Sequence, residues 1–288
     1  MTILTIGLLH PGAMGSTLGQ SIVAGGHRVV WAGDGRSDAS KKRASDSQLE
    51  DVESLSALVK NSDYIFSVCP PHAALDIANS VVDKKFRGIF VDCNAVSTNT
   101  TDATRQVMEN SGADFVDGGI IGPPAHRPGS TRLYLSGEKA TEVVPLLAQG
   151  LLPGIAISKK PGDASVLKMA YASYTKGHSA LLLLSRALAS SAGLEDHLLK
   201  EWSLSQPGLE HRCDTEGAVA ASKAWRFNAE MREIASTMQS AALPPQFHEG
   251  AAEIYDRLEA FKYNSDQANA VLPAIDSIIA SLTRDSRE

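Results

Sequence analysis

The chain has 288 residues, 43% hydrophobic and 21% charged, enough to bury one large sheet-based domain or two smaller ones and unlike a disordered chain. A net charge of −6 gives no electrostatic reason to expect nucleic acid or an anionic membrane as partner, Lys41-Lys42-Arg43 being the one basic run. Three cysteines, Cys69, Cys93 and Cys213, odd in number and without metal-ligand spacing, fit a reducing compartment; no signal-like N-terminus or bilayer-length apolar run is present, so a cytoplasmic location is expected.

Through the first half, short β-rich runs alternate with helical patterns. "ILTIGLL", "HRVVWAG", "DYIFSVCP", "RGIFVDCN" and "ADFVDGGIIG" read as strands, with "STLGQSIVAGG", "SLSALVKN" and "PHAALDIANSVVD" as helices between them. "TRLYLSG" and "GIAISK" bracket the helix-like "EKATEVVPLLAQ" and complete the sheet. The alternation predicts an α/β Rossmann-like N-terminal domain with a mainly parallel sheet. After Pro161 the strand signal stops. "GDASVLKMAYASYTKGHSALLLLSRALASSAG" reads as one long helix, with Asp163 near its start and Gly193 as its stop, and "GAVAASKAWRFNAEMREIASTMQSAA", "FHEGAAEIYDRLEAFK" and "VLPAIDSIIASLTR" as further helices. Residues 1–160 are therefore expected to bind a dinucleotide, and residues 161–288 to form an all-α substrate and dimerisation domain.

The turn "LLHPGAMG" follows the first strand. A dinucleotide turn uses glycines for a tight reversal, for backbone approach to the pyrophosphate and for helix packing. Gly12 and Gly15 fill the last two roles, whereas His10 replaces the first glycine. A residue before proline is driven toward extended geometry, so His10-Pro11 is expected to make a stiff exit from the strand. Amides near Gly12, Ala13 and Met14 would then face a phosphate at the helix N-terminus. The bland alternative is a strand-to-helix turn without ligand.

About 20 residues beyond such a turn, an acidic residue serves the ribose of NAD and a basic one the extra phosphate of NADP. Here the chain reads "GDGRSDASKKRA": Asp34 suits NAD, while Arg36 and Ser37 favour NADP. NADP is the expected cofactor, with NAD as the alternative. The basic trio also has the plain reading of a solvated helix face.

With "IGLLHPGAMG", "VDGGIIGPP", "GDASVLKMAYASYTKG" and "KAWRFNAEMREIA" in this order, the chain resembles the β-hydroxyacid dehydrogenase superfamily over nearly its whole length. It looks closest to a branch whose C-terminal domain carries an unknown-function label. The resemblance implies an N-terminal Rossmann domain, a long interdomain helix, an all-α C-terminal domain and a homodimer. It also implies Lys168 as general acid or base toward a carbonyl or alcohol substrate, a role that desolvation of a lysine would assist. The family's asparagine one turn later is Ala172 here. Tyr171 either takes over an oxygen-directed hydrogen bond or is a packing residue with a wet hydroxyl. Cys69, Pro70, Asn94 and Ala95 match cofactor-side positions, and Lys223 matches a second lysine near the cofactor or is a surface charge at a helix start.

The family's serine-diglycine loop, which holds a substrate carboxylate, is replaced by Gly119, Ile120, Ile121, Gly122 and Pro123, with Pro123 and Pro124 lacking amide donors. A less acidic, larger or more apolar substrate follows. His126 and Arg127 either replace the anion contact or are plain exposed loop residues. No metal is expected, since Cys69 and His72 have no companion ligands. The missing serine loop and the short helical region disfavour phosphogluconate dehydrogenase itself. An imine reductase and a non-catalytic dinucleotide sensor are the competing readings.

Overall fold

The short apolar runs of the first half become an eight-stranded sheet because most of them are apolar on both faces and can be covered by helices on each side. The computed structural model describes residues 2–262 and 271–283. In chain order the strands are β1 (Thr5–Leu9), β2 (Arg28–Trp31), β3 (Glu50–Asp51), β4 (Tyr64–Ser67), β5 (Ile89–Asp92), β6 (Asp114–Ile121), β7 (Arg132–Ser136) and β8 (Gly154–Ser158). Their spatial order is β3-β2-β1-β4-β5-β6-β7-β8, with every neighbouring pair parallel except the antiparallel β6–β7. Alternation along the strands builds two cores. Ile6, Leu8, Val29, Trp31, Phe66, Val91 and Val116 face one side, and Leu9, Val30, Ile65, Phe90 and Phe115 the other. Each such fully buried Leu, Ile or Phe contributes about 1.5–3 kcal/mol.

The covering helices are α1 (Ala13–Ala24), α2 (Asp38–Asp46), α3 (Leu55–Asn61), α4 (Ala74–Asp83), α5 (Thr98–Ser111) and α6 (Ala140–Val143). Neither α2 nor α5 stands out in the sequence as an apolar pattern. Each is a polar segment launched by a serine cap: Ser37 accepts from Ser40 N and Ser97 from Thr100 N. The expected helix at 138–149 is divided, because Pro145 turns its second half into a 3-10 helix, Val144–Leu147.

The helical half consists of α7 (Asp163–Ser191), α8 (Glu195–Ser205), α9 (Leu209–Ser222), α10 (Ala224–Ser240), α11 (Gln246–Arg257) and α12 (Ile275–Thr283). Two compact units result, residues 1–169 and 170–288, so that the first two turns of α7 go with the sheet. The single helix expected over 217–242 is broken at Lys223, which ends α9 and caps α10. Local propensity would run through this alanine-rich stretch, but the Ser222 hydroxyl donates to the Val219 carbonyl at 2.8 Å, and the two helices bury different faces, Gly217, Ala218 and Ala221 on α9 and Met231, Ile234 and Ala235 on α10. The last helix starts only at Ile275, past Pro273, and Arg284 of its expected span lies outside the described residues.

Polar cross-links hold the second unit together. Arg186, 6% exposed, pairs with Glu195 on α8 at 2.6 Å and Asp214 on α9 at 2.5 Å. Buried Tyr255 donates to the Lys176 carbonyl at 2.7 Å, and Lys176 pairs with Glu230. Among the described residues no helix is long and apolar enough to cross a membrane.

Candidate active site

Strands β1, β4, β5 and β6 are mutually parallel, so their C-terminal ends share one edge of the sheet; between β1 and β4 the strand order reverses. A crevice for a ligand opens at such a switch point. Here β1 runs through His10-Pro11-Gly12 into α1. His10 has φ +69°, not the extended backbone expected of a residue before proline. The turn demands this conformation. Gly12 N donates to the His10 carbonyl at 2.8 Å, and that carbonyl oxygen occupies the space a Cβ on Gly15 would fill. Histidine is among the few non-glycine residues enriched at positive φ, at a cost of about 1–3 kcal/mol.

Pro11 is buried under this turn. No side chain caps α1, its first turn holds no acidic residue, and nothing lies within 4 Å of a Cβ built on Gly12. The amides of Ala13 and Met14 therefore start a helix whose positive end is uncapped beside open space. The Met14 side chain packs on the sheet core and Ala13 is exposed. Close packing at Gly15 with open space at Gly12 fits a dinucleotide pyrophosphate.

Beyond β2, Arg36 closes a turn onto the Gly33 carbonyl at 3.1 Å, and its side chain is exposed, as is that of Asp34. Ser37 is exposed too, its hydroxyl capping α2. Burial first, then the Arg36 charge, brings the His10 imidazole down to about 4, against an opposing hydrogen bond to the Leu9 backbone; His10 is neutral at physiological pH. The solvated-face reading of the basic trio fails for its third member. Arg43 is half-buried and donates to the Pro11 carbonyl at 3.3 Å, because its long stem spans from α2 back to the glycine turn.

At the ends of β4 and β5, Asn94 acts as a stitch. Its carbonyl oxygen accepts from Cys69 N at 2.6 Å, and its amino group donates to Ser67 Oγ at 3.1 Å. At 3% exposure it holds the Cys69-Pro70 segment, leaving exposed Pro70 and half-buried Cys69 and Ala95 as the surface of this edge. Burial, then the Asp92 charge, pushes the Cys69 thiol up to about 12 against a hydrogen bond from Ser67, so it stays protonated. Asp92 itself is buried and pushed up to about 7, chiefly by desolvation.

At the end of β6, the Ile120 and Ile121 side chains are each 6% exposed and belong to the interior. This edge therefore offers the backbone at Gly122 and the exposed ring of Pro123. The loop is pinned by Thr17 Oγ1, which accepts from Ala125 N at 3.2 Å, and by Thr131, whose hydroxyl donates to the Pro123 carbonyl. His126 and Arg127 are exposed on it. Against β6 lies the start of α7: a Cβ on Gly119 would lie 2.6 Å from the Ala164 carbonyl and 3.0 Å from Lys168 Cβ. Lys168 is thereby held, half-buried, at the same sheet edge as the glycine turn.

In the second unit, Tyr171 is exposed on α7, and Lys223 is exposed at the α9–α10 junction. The Lys223 ammonium is drawn below the usual lysine range by surrounding protein, then by Arg226 and Lys176, against the pull of Glu230. Among the described residues no group of three or more His, Cys, Asp or Glu could hold a metal ion. Sequence reasoning missed Thr17, Thr131 and Arg43 as builders of this edge; only Arg43 had a signal, its place in the basic run.

Comparison with known proteins gives two family matches: residues 2–148 match "NAD binding domain of 6-phosphogluconate dehydrogenase", and residues 189–258 match a "Domain of unknown function (DUF1932)". An uncharacterized 28.5 kDa protein in the 7S RNA 5′ region of Methanothermus fervidus is 34% identical over 195 residues, 68% of this chain and 74% of that one. A solved conserved protein of unknown function, described as structurally similar to 3-hydroxyacid dehydrogenases, is 27% identical with TM-score 0.67, over 90% of this chain and 98% of that one. Mycobacterium tuberculosis 3-hydroxyisobutyrate dehydrogenase with L-serine shares the fold, with TM-score 0.71 at 17% identity over 98% of this chain and 100% of that one.

Proposed function

The chain belongs to the β-hydroxyacid dehydrogenase superfamily, with the NAD-binding domain of 6-phosphogluconate dehydrogenase at its N-terminus, and on that premise we propose that it is an NADP-dependent oxidoreductase acting on a carbonyl or alcohol. Residues 1–160 bind the cofactor, and the helical region from residue 161 onward serves substrate and dimer contacts in the cytoplasm. The observation that carries the reading is the press of α7 on β6 at Gly119, which keeps Lys168 at the strand ends that form the glycine turn.

The uncapped start of α1 and the open space at Gly12 receive the pyrophosphate, while exposed Arg36, with Ser37 beside it, meets the ribose phosphate. When bound, the cofactor supplies or accepts a hydride. Lys168 donates a proton to the carbonyl oxygen during reduction and removes the hydroxyl proton in the other direction. Asn94 keeps the Cys69-Pro70 segment in place beside the cofactor. With Ile120 and Ile121 buried, the β6 edge meets substrate through backbone and proline, which supports an apolar or weakly acidic substrate. Exposed Leu181, Leu184 and Leu188 on α7 support a homodimer.

A thermal-shift comparison of NADPH with NADH tests the cofactor, and a panel of carbonyls, hydroxy acids and imines with the preferred cofactor tests the reaction. NADPH raises the melting temperature more than NADH does, and Arg36→Ala raises its Kd about tenfold, the loss of roughly 1.4 kcal/mol. Turnover is abolished in Lys168→Ala with cofactor binding intact. Cofactor binding without turnover on any substrate would favour the sensor reading.

A further inference from the structure

The start of α7 is held by an unusual cap. A helix leaves its first amides without intrahelical partners, and these are usually met by the residue just before the helix or by water. In α7 the amides of Ala164 and Ser165 are met by side chains of the sheet. The buried Asp117 carboxylate on β6 accepts from Ser165 N at 2.9 Å, 48 positions along the chain, and from Ser165 Oγ at 2.5 Å. Ser136 on β7 donates its hydroxyl to Asp117 at 2.9 Å and accepts from Ala164 N at 3.0 Å. Thr101 on α5 completes the knot by donating to Ser165 Oγ at 3.0 Å.

Three features of this knot bear on Lys168. Asp117 and Gly119 are two apart on β6, so the cap and the close backbone approach lie on one face of the strand. Ala164 and Lys168 are four apart on α7 and share a helix face, so the clamped turn and the lysine form one line facing the sheet. Finally, a carboxylate 1% exposed is a costly way to hold two elements together; well-packed apolar residues would hold them with less desolvation. Its directional bonds do what apolar packing cannot, fixing the rotation of α7 about its axis.

We infer that Asp117, through Ser165 and Ser136, is a positioning residue for Lys168, setting the phase of α7 that presents the lysine at the sheet edge. The inference rests on Lys168 being the proton-transferring group.

The test uses the full chain with 13C-methylated lysines, the Lys168 signal being assigned by its loss in Lys168→Arg. Its titration is followed by NMR in wild type, Asp117→Asn, Ser165→Ala and Ser136→Ala, beside NADPH affinity and, on the best substrate found, kcat against pH. Asp117→Asn is expected to lower the Lys168 titration midpoint by at least about 0.5 pH unit, with Lys60 unmoved. Both serine variants, which remove no charge, should lower kcat about 10–100-fold, the size of a displacement near 1 Å, with NADPH Kd held within about twofold. Asp117→Asn keeps an acceptor for Ser165 N, so it preserves a folded protein for measurement. A fall in melting temperature that leaves the Lys168 titration and the kcat pH profile in place overturns the inference. If no substrate turns over, the proposed function fails separately, and the Lys168 titration in Ser165→Ala and Ser136→Ala, which remove no charge, still decides this point: a shifted midpoint supports the positioning role and an unmoved one overturns it.

Discussion

The carbonyl oxygen of His10 fills the space that a Cβ on Gly15 would need, while the space beside Gly12 is empty to 4 Å. The two glycines of one turn thus have different jobs. Gly15→Ala forces a methyl against backbone and is expected to destabilise the fold by about 1–3 kcal/mol and to abolish NADPH binding. Gly12→Ala fits the apo turn and should leave the melting temperature within a degree or two of wild type while weakening NADPH. Thermal denaturation with and without NADPH separates them; equal destabilisation by both variants would refute the division of labour.

His10 is held at φ +69° and neutral. His10→Gly removes the backbone strain and some packing, so its stability at pH 8 should lie within about 1 kcal/mol of wild type; His10→Val, branched at Cβ, should lose about 2 kcal/mol. Acid separates histidine from glycine. A histidine whose folded pKa is lowered from 6.5 to about 4 contributes stability that is full above pH 6.5 and is lost as pH falls through about 4. Wild type should therefore lose about 3 kcal/mol relative to His10→Gly as pH falls from above 6.5 to below about 4, measured by urea denaturation.

Asp92 works in the opposite direction. Its folded pKa, raised from 3.8 to about 7, makes the folded protein bind the extra proton, so its contribution is full below pH 3.8 and is lost as pH rises through about 7. One of its carboxylate oxygens is buried with no hydrogen-bond partner, while the other accepts from Asn94 N at 3.0 Å. Asp92→Asn keeps an acceptor for Asn94 and removes the charge. It should match wild type near pH 4 and exceed it by a few kcal/mol above pH 7, each pKa unit being about 1.4 kcal/mol. A gap that does not change with pH would count against a buried ionised carboxylate.

In the helical unit, Arg186 joins α7 to α8 and α9 through Glu195 and Asp214. Arg186→Ala leaves two carboxylates without their cation and should cost about 3 kcal/mol. Arg186→Met, which keeps the stem's packing, should cost less. Because NADPH is assigned to the other unit, its affinity should change little in either variant, which calorimetry and a binding titration together can check.

Much of this architecture was legible in the linear pattern. Short, nearly continuous apolar runs alternating with helical stretches required a covered, mainly parallel sheet, and the end of strand signals after Pro161 required a helical second half. Gly12 and Gly15 marked the turn because their spacing answers a steric demand that any chain must meet there. Polar helices such as α2 and α5 were not legible, since serine caps and one-sided contact with the sheet replace an apolar stripe.

What the sequence by itself determined is therefore the class of fold, the place of the dinucleotide turn and the helix that carries Lys168, because these follow from local periodicity and sterics. Only the tertiary structure decided the rest: the positive φ of His10, the reach of Arg43 to the Pro11 carbonyl, the burial of Ile121 and the clamp of Asp117 on Ser165. Each is a contact between residues distant along the chain or a strain imposed by one. No local propensity encodes which carbonyl or amide will stand opposite a given side chain once the strands are in register.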